Sequence, residues 1–221
     1  MPATPFDGPL LRIAERLDDT RQLVAYHDTL KAHARAAEMT RASRAWAYVG
    51  MAAALENFVR DFVDEMAAHI NAANIAIADL RLSVVSLMQA PLFDSVSANR
   101  RQTMWDKRAD LLEAAAGVGN ASLLVGFRPL DGRTIRREHL DSLWKVYGLA
   151  GSALPAPIHG FALKDLADGR NDVAHGNSDP IAFGRAKTHS DVIRRIQHVE
   201  DIALHIAAAG AAYVTNGDYR R

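Results

Sequence analysis

The stretch from Leu10 to Ala90 contains no proline and only one glycine, Gly50, which leaves little room for any regular structure except helix. Alanine, the residue with the highest helix propensity, recurs throughout the stretch. Its apolar residues also return at helical spacing, as at Ile13 and Leu17. We therefore predict that this part of the chain is helical and divided into two or three helices.

The helices can be placed approximately from their caps and breakers. We predict a helical region in residues 1–38, with its helix at about 9–38, and a second helix that starts at a cap, Thr40 or Ser43, and runs to about Asn71. The second helix is apolar around most of its circumference, which is typical of the central helix of a bundle. Further helices are predicted at about 75–90, 98–116, 138–148, 161–176 and 189–215.

Residues 117–137 have a different composition from the rest of the chain. Four glycines, a proline and the pair Asp131-Gly132 indicate turns, and Leu123–Phe127 is predicted as a short strand. We find no internal repeat and no domain boundary. The prediction is a single all-α domain over residues 1–221, with a bundle core at about 40–215 and an irregular insertion at about 117–137.

Composition excludes several classes of function. The 26 Lys and Arg residues balance the 26 Asp and Glu residues, so any contact with nucleic acid has to come from a local patch. The absence of cysteine excludes disulfides, thiolate zinc sites and cysteine nucleophiles. No P-loop or dinucleotide fingerprint is present, so no cofactor is expected. Without a secretion signal or an apolar run of about 20 residues, we expect a cytoplasmic protein that does not enter the membrane.

The segment 161–176, FALKDLADGRNDVAHG, contains a charged residue where an apolar one is expected. On a helix, Arg170 falls in the same stripe as Leu163 and Leu166. An arginine removed from water is strongly destabilising unless it is paired or faces a wet cleft. The position of Arg170 therefore requires an explanation.

The end of this predicted helix has further features. Asn171 and His175 are four residues apart and are neighbours on the adjacent face. Gly169 costs about 1 kcal/mol relative to alanine inside a helix, a cost that the close approach of another backbone or a ligand would explain. Gly176 is suited to end the helix in the left-handed conformation.

A purely structural explanation of the same residues is also open. Arg170 could pair with Asp168 or Asp172, or extend to water from the edge of the bundle. His175 in the last turn could interact with the helix dipole when protonated. Spacing alone does not decide between the structural and the functional explanation.

Arg170–Gly176, RNDVAHG, resembles the R-x(4–6)-H motif of HEPN-domain proteins, in which a polar residue such as Asn171 often follows the arginine. Upstream, the segment 54–59, ALENFV, resembles the Leu-Glu-x-Phe/Leu helix of the same family. Within the family, the chain is similar to the RiboL-PSP-type nucleases of toxin–antitoxin and phage-defence loci. The resemblance covers about residues 40–215.

The resemblance implies a metal-independent endoribonuclease with Arg170 and His175 as catalytic residues. In HEPN nucleases, two protomers bring their motifs together across a two-fold axis. Attack of a ribose 2′-hydroxyl on its own phosphate needs a base for the hydroxyl and an acid for the leaving 5′-oxygen, and a homodimer has two imidazoles where one chain has one. The arginines would hold the phosphate, and the products would be a 2′,3′-cyclic phosphate and a 5′-hydroxyl.

The resemblance also bears on partners. HEPN toxins that a minimal nucleotidyltransferase neutralises commonly have a tyrosine two residues after the motif histidine, where this chain has Asn177. RNA and a second copy of the chain are the implied partners, with an antitoxin of a different kind or none. The alternative is a non-catalytic HEPN-fold module that binds RNA, nucleotide or a partner protein, and a third hypothesis is a purely structural dimerisation role.

Glu56 and Asn171 are predicted as supporting residues. Glu56 lies in an apolar stripe of the second predicted helix, so its ionised carboxylate requires a partner. That partner could be Arg170, which Glu56 would hold in position for the phosphate, or Arg60, four residues along the same helix. The sequence leaves these two pairings open.

Two further patterns carry weaker signals. The predicted loop carries a basic cluster of Arg133, Arg136 and Arg137. Among several basic clusters, this one is our candidate for contacting RNA. One face of the last predicted helix carries His198, Asp201 and His205. Their spacing is too loose for a metal site, so no metal is predicted.

Overall fold

The structure, a computed structural model, describes residues 3–29, 34–98, 101–124 and 134–221. Within these ranges the chain is all-helical, with two isolated β-bridges and no strand, which confirms the predicted all-α class. A 3-10 helix covers Ile77–Asp79. The α-helices are α1 Asp7–Thr29, α2 Ala34–Ala72, α3 Leu82–Met88, α4 Ala90–Ala98, α5 Arg101–Ala115, α6 Arg137–Tyr147, α7 Pro157–Ala174, α8 Pro180–Arg185 and α9 His189–Asn216.

Helix α2 is the centre of the bundle, as its apolar circumference predicted. It packs against α1, α7, α8 and α9. Fully buried side chains follow one another along its length, including Met51, Leu55, Phe58, Phe62 and Ile70. Their removal from water is the main source of stability for such a bundle, since burying one large apolar side chain contributes about 1.5–3 kcal/mol.

The predicted cap of the second helix at Thr40 or Ser43 is wrong. Both residues lie inside α2, which already covers the described residues from Ala34, and α1 covers Asp7–Thr29 of the described residues. The Thr40 hydroxyl donates to the carbonyl oxygens of His27, 2.6 Å away, and Ala36, 2.9 Å away. The hydroxyl therefore ties the first turns of α2 to the end of α1, and does not cap a helix.

The predicted helix at 75–90 is also divided differently. Its first residues are extended, because Ile77 N donates to the carbonyl of Gly119 and Ala121 N donates to the carbonyl of Ile75. Helix α3 follows, and Pro91 lies in the first turn of α4, where a proline is tolerated, and does not end a helix.

The part of the insertion that the structure describes is irregular, as predicted. Residues 121–124 have no regular structure, and Leu123 is fixed by Asn71, whose side chain both accepts from Leu123 N and donates to Leu123 O. The predicted strand Leu123–Phe127 is not formed at residues 123 and 124, and its remainder, with residues 125–133, lies outside the described residues.

Helices α7, α8 and α9 lie around α2 and carry the candidate site. The short helix α8 was not predicted; Asp179 caps it by accepting from Ala182 N. Gly184 of α8 sits against the backbone carbonyl of Arg41 in α2, at a separation that no Cβ would allow. No described helix is both long enough and apolar enough to cross a bilayer.

Candidate active site at the end of helix α7

The predicted motif occupies the last turn of α7 and its cap. Pro157 is the first helical residue, where its missing N–H is not needed, and the helix ends at Ala174. His175 is the cap residue, and its N–H donates to the carbonyl of Asn171 at 3.1 Å. Gly176 has φ of +71°, which confirms the predicted left-handed residue after the helix.

The structure brings Arg170, Asn171 and His175 together. Nη1 of Arg170 donates to Oδ1 of Asn171 at 3.1 Å and lies 3.4 Å from Nε2 of His175. An arginine can only donate, so Nε2 of His175 is the side of the imidazole that faces the guanidinium. Arg170 is half-buried and His175 is exposed. A fixed cation and an imidazole thus lie side by side at a position that solvent can reach.

Among the described residues, no carboxylate lies within ion-pair distance of Arg170. Asp168 is engaged elsewhere: it accepts from Lys164 at 2.5 Å and from Arg136 at 2.9 Å. These two hydrogen bonds, that of Lys164 first, hold the pKa of Asp168 below its ordinary value. Asp172 forms no ion pair with Arg170 either. The structural explanation in which Arg170 is neutralised by Asp168 or Asp172 is therefore wrong for this structure.

The end of the insertion lies beside the motif. Arg136 bonds to Asp168, two residues before Arg170, and the hydroxyl of the buried Thr134 lies 3.5 Å from Oδ1 of Asn171. Arg137 is exposed and pairs with Asp141 one turn along α6. Of the predicted basic cluster, Arg136 is thus adjacent to the motif, and Arg133 lies outside the described residues.

Gly169 is explained by aromatic packing. A Cβ at this position would lie 2.7 Å from Cδ1 of Tyr48 and 2.8 Å from Cζ of Phe183, distances that real Cβ contacts do not reach. The rings of Tyr48 and Phe183 are themselves in edge-to-face contact, with centroids 5.2 Å apart. The close approach at Gly169 is thus made by two aromatic side chains, and not by the backbone or the ligand that the sequence suggested.

The sequence reasoning missed Asp165, which anchors α7 one turn before the motif. Its carboxylate accepts from the hydroxyl of Tyr48 in α2 at 2.9 Å, from Lys187 at 3.0 Å and from Arg195 in α9 at 2.7 Å. The partners are far apart in the chain, so the spacing of residues in the sequence does not predict this network. It fixes the position from which Arg170 and His175 project.

The charges of this network compensate one another. Burial alone would raise the pKa of Asp165, but the hydrogen bond from Lys187 and the charge of Arg195 outweigh it and lower that pKa. Burial likewise disfavours the charged form of Lys187, but its hydrogen bond to Asp165 raises the pKa of the amine. Both groups are therefore ionised at neutral pH.

Glu56 is not brought to the motif. It is half-buried in α2, and its Oε1 atom is buried without a hydrogen-bond partner. Among the described residues it forms an ion pair with neither Arg170 nor Arg60. It lies eight residues beyond Tyr48, about 12 Å along the helix, whereas Arg170 follows the glycine that contacts Tyr48. A supporting role of Glu56 remains a prediction that no contact supports.

The three residues of the last helix that share a face have separate partners. His198 lies edge-to-face with His159, and Asp201 lies 3.4 Å from Nε2 of His159. Nε2 of His205 donates to the carbonyl of Ser152 at 2.8 Å, and its ring stacks on Trp144. The described residues contain no group of three or more His, Cys, Asp or Glu side chains placed to hold a metal ion.

Comparison with known proteins adds no relative. No family model matches the sequence, and the searches of curated proteins and of solved structures found no match. The functional argument therefore depends on the residues and geometry of the site itself.

Proposed function

We propose that the protein is a HEPN-type, metal-independent endoribonuclease that acts as a homodimer. The observation that supports this proposal most directly is the half-buried, unpaired guanidinium of Arg170 beside the exposed imidazole of His175. An unpaired cation held at a helix end is suited to bind an anion. An imidazole next to it can transfer a proton to or from an oxygen atom close to the bound anion.

Arg170 binds the scissile phosphate in this proposal. A guanidinium presents several N–H donors in a plane that matches two phosphate oxygens, and it keeps its charge at any physiological pH. As the 2′-oxygen attacks, negative charge grows on the non-bridging oxygens, and the fixed cation stabilises it. Asn171 positions the guanidinium by accepting from Nη1 at 3.1 Å.

His175 transfers protons. The ribose 2′-oxygen forms a bond to phosphorus while the bond from phosphorus to the 5′-oxygen breaks. One imidazole accepts the proton of the 2′-hydroxyl and a second, protonated imidazole donates one to the leaving 5′-oxygen. One chain contributes a single histidine to the motif, so the second comes from a second copy across a two-fold axis.

The biological setting that fits such an enzyme is that of a toxin or a phage-defence effector in the cytoplasm, since unrestrained RNA cleavage inhibits the cell. An antitoxin of a kind other than a minimal nucleotidyltransferase, or none, would accompany it. The rival function is RNA binding by the same fold without cleavage.

The decisive experiment is cleavage of a defined RNA by the purified protein in EDTA, with analysis of the product ends. We expect 2′,3′-cyclic phosphate and 5′-hydroxyl ends, and at least a 10²-fold loss of rate in His175→Ala and in Arg170→Ala. Arg108→Ala, which removes an exposed arginine of α5, is the matched control and should retain activity. RNA binding without cleavage by the wild type would establish the rival function, and cleavage that EDTA abolishes would contradict a metal-independent mechanism.

A further inference from the structure

A second basic site lies away from the motif, where α6 ends, α3 begins and the last residues of the chain pass. These elements surround a cleft of about 650 Å³. Its lining contains no aspartate or glutamate and includes four basic residues, Arg81, Lys145, Arg220 and Arg221.

Backbone pairing brings the basic residues together although they come from three regions of the chain. Leu80 and Arg220 form an antiparallel bridge. On either side of it, Arg81 N donates to the carbonyl of Tyr219 at 2.8 Å, and Arg221 N donates to the carbonyl of Asp79 at 2.9 Å. The last two residues are thereby fixed beside Arg81, and their arginine side chains extend the same basic surface.

Arg81 is held against the end of α6. Its Nη1 atom donates to the carbonyl of Gly148 at 3.0 Å and lies 3.4 Å from that of Tyr147. Gly148 has φ of +70°, and a Cβ there would collide with the guanidinium of Arg81. The rest of the guanidinium forms no hydrogen bond with a described residue, so its other N–H groups remain available to a ligand.

The four cations are not neutralised. No carboxylate of a described residue pairs with any of them, whereas most other basic side chains that the structure describes are paired, such as Arg12 with Asp61. Asp141, which lies one turn before Lys145, bonds to Arg137 instead. A chain of zero formal net charge thus concentrates four unpaired positive charges in one cleft.

We propose that this cleft binds the phosphodiester backbone of a single-stranded RNA. Guanidinium and ammonium groups bind phosphate oxygens, and a basic groove that follows the backbone is the common feature of proteins that bind single strands. Lys145, Arg220 and Arg221 are exposed, so the cleft is open to a strand that passes across it.

The inference rests on the proposed function, because the strand is the substrate itself. Helix α6 connects the two sites: Arg136, its N-cap, bonds to Asp168 beside the motif, and Gly148, its C-cap, lines the cleft. Its 11 residues span about 16 Å, which corresponds to about five nucleotides of a stacked strand. A strand of about that length therefore reaches from one end of α6 to the other.

The test is the affinity for an oligouridine of about twelve nucleotides with 2′-O-methyl groups, which cannot be cleaved by its own 2′-oxygens. The variant is Lys145→Gln combined with Arg220→Gln, since neither side chain forms a hydrogen bond with a residue that the structure describes. We expect Kd to rise about tenfold and the slope of log K against log salt to decrease by about 1.4, the value for two lost phosphate contacts. The control, Lys107→Gln with Arg108→Gln on α5, removes the same charge and should leave Kd within about twofold.

An unchanged Kd in the cleft variant, or an equal loss in the control, would overturn the inference. So would weaker binding to anionic phospholipid vesicles together with unchanged binding to the oligouridine. The binding assay is independent of catalysis, because the 2′-O-methyl oligouridine is not cleaved. If the wild type fails to cleave RNA but the cleft variant still binds more weakly, the proposed function fails and the cleft remains an RNA-binding site.

Discussion

The carboxylate of Asp165 accepts a hydrogen bond from the hydroxyl of Tyr48 at 2.9 Å, although 117 residues separate the two in the sequence. The same carboxylate is bonded to Lys187 and Arg195. One side chain thus joins α7 to α2, to α9 and to the segment between α8 and α9, one turn before Arg170.

We expect Asp165→Asn to destabilise the protein by about 1–2 kcal/mol at pH 7, less than the loss of a fully buried pair because Asp165 is partly exposed. Its pKa is lower in the folded chain than its unfolded value of about 3.9, so the ionised form stabilises the fold above about pH 4. This contribution is lost as the pH falls from about 4 through the folded-state pKa. Urea denaturation at several pH values measures it.

In that experiment, the difference between wild type and Asp165→Asn should shrink below about pH 4. The control is Asp141→Asn, which removes an exposed partner of Arg137 and should change stability by less than about 0.5 kcal/mol. A difference at pH 7 that persists unchanged at pH 2.5 or so would contradict an electrostatic role of Asp165.

Two glycines of α7 should respond to alanine with opposite sign. At Gly169 the new Cβ would press on Tyr48 and Phe183, and the overpacking outweighs the gain in helix propensity, so we expect a loss of about 1–2 kcal/mol. At Gly160 the Cβ would lie 3.6 Å from Cδ1 of Leu154, an ordinary contact, so we expect a gain of about 0.5–1 kcal/mol. Thermal unfolding of both variants measures the effects. If alanine stabilised the protein at both positions, the packing around Gly169 would be looser than described.

We expect Arg170→Lys to lower the rate of RNA cleavage about 10²-fold and to change the free energy of unfolding by less than about 1 kcal/mol. Lysine keeps the charge but loses the planar fork that binds two phosphate oxygens. Stability changes little because Arg170 forms no ion pair with a described residue. The measurements are initial rates and thermal unfolding, with Arg108→Lys on α5 as the control. Cleavage at more than half the wild-type rate in Arg170→Lys would exclude bidentate phosphate binding.

Asp168 holds the guanidinium of Arg136, a proposed RNA contact, in an ion pair at 2.9 Å. We expect Asp168→Asn, which releases the guanidinium from its carboxylate, to strengthen binding of the 2′-O-methyl oligouridine about threefold, and Arg136→Gln to weaken it by a similar factor. Fluorescence anisotropy at low salt measures both. Glu138→Gln, an exposed acidic residue that follows Arg136 in the sequence, is the control for the change in net charge. Equal effects of Asp168→Asn and Glu138→Gln would show that net charge and not the ion pair is responsible.

The helices with strong local signals were predicted closely. The last one, predicted at about 189–215, is His189–Asn216, and the central one differs at its start because Thr40 donates to α1 instead of capping α2. The region at 75–90 was predicted as one helix since its apolar spacing is helical. Its first residues instead pair with Gly119 and Ala121, and such non-local pairing leaves no trace in local periodicity.

The candidate site divides in the same way. Arg170, Asn171 and His175 lie within six residues of one helix end, so their proximity follows from helical geometry alone. Glu56 was predicted as the partner of Arg170 because it is a charged residue in an apolar stripe of α2. In the structure, Glu56 forms no ion pair with Arg170. A buried polar group requires a partner, but its sequence position does not name one.

Local residue order by itself determined the helical class, the central helix and the arginine–histidine pair at the end of α7, because propensity, periodicity and capping act over a few residues. Only the tertiary structure decided that Asp168 pairs with Arg136 and not with Arg170. It also decided which rings occupy the space beside Gly169 and which arginines line one cleft with Lys145. These contacts join residues far apart in the chain, and the packing of whole helices selects them.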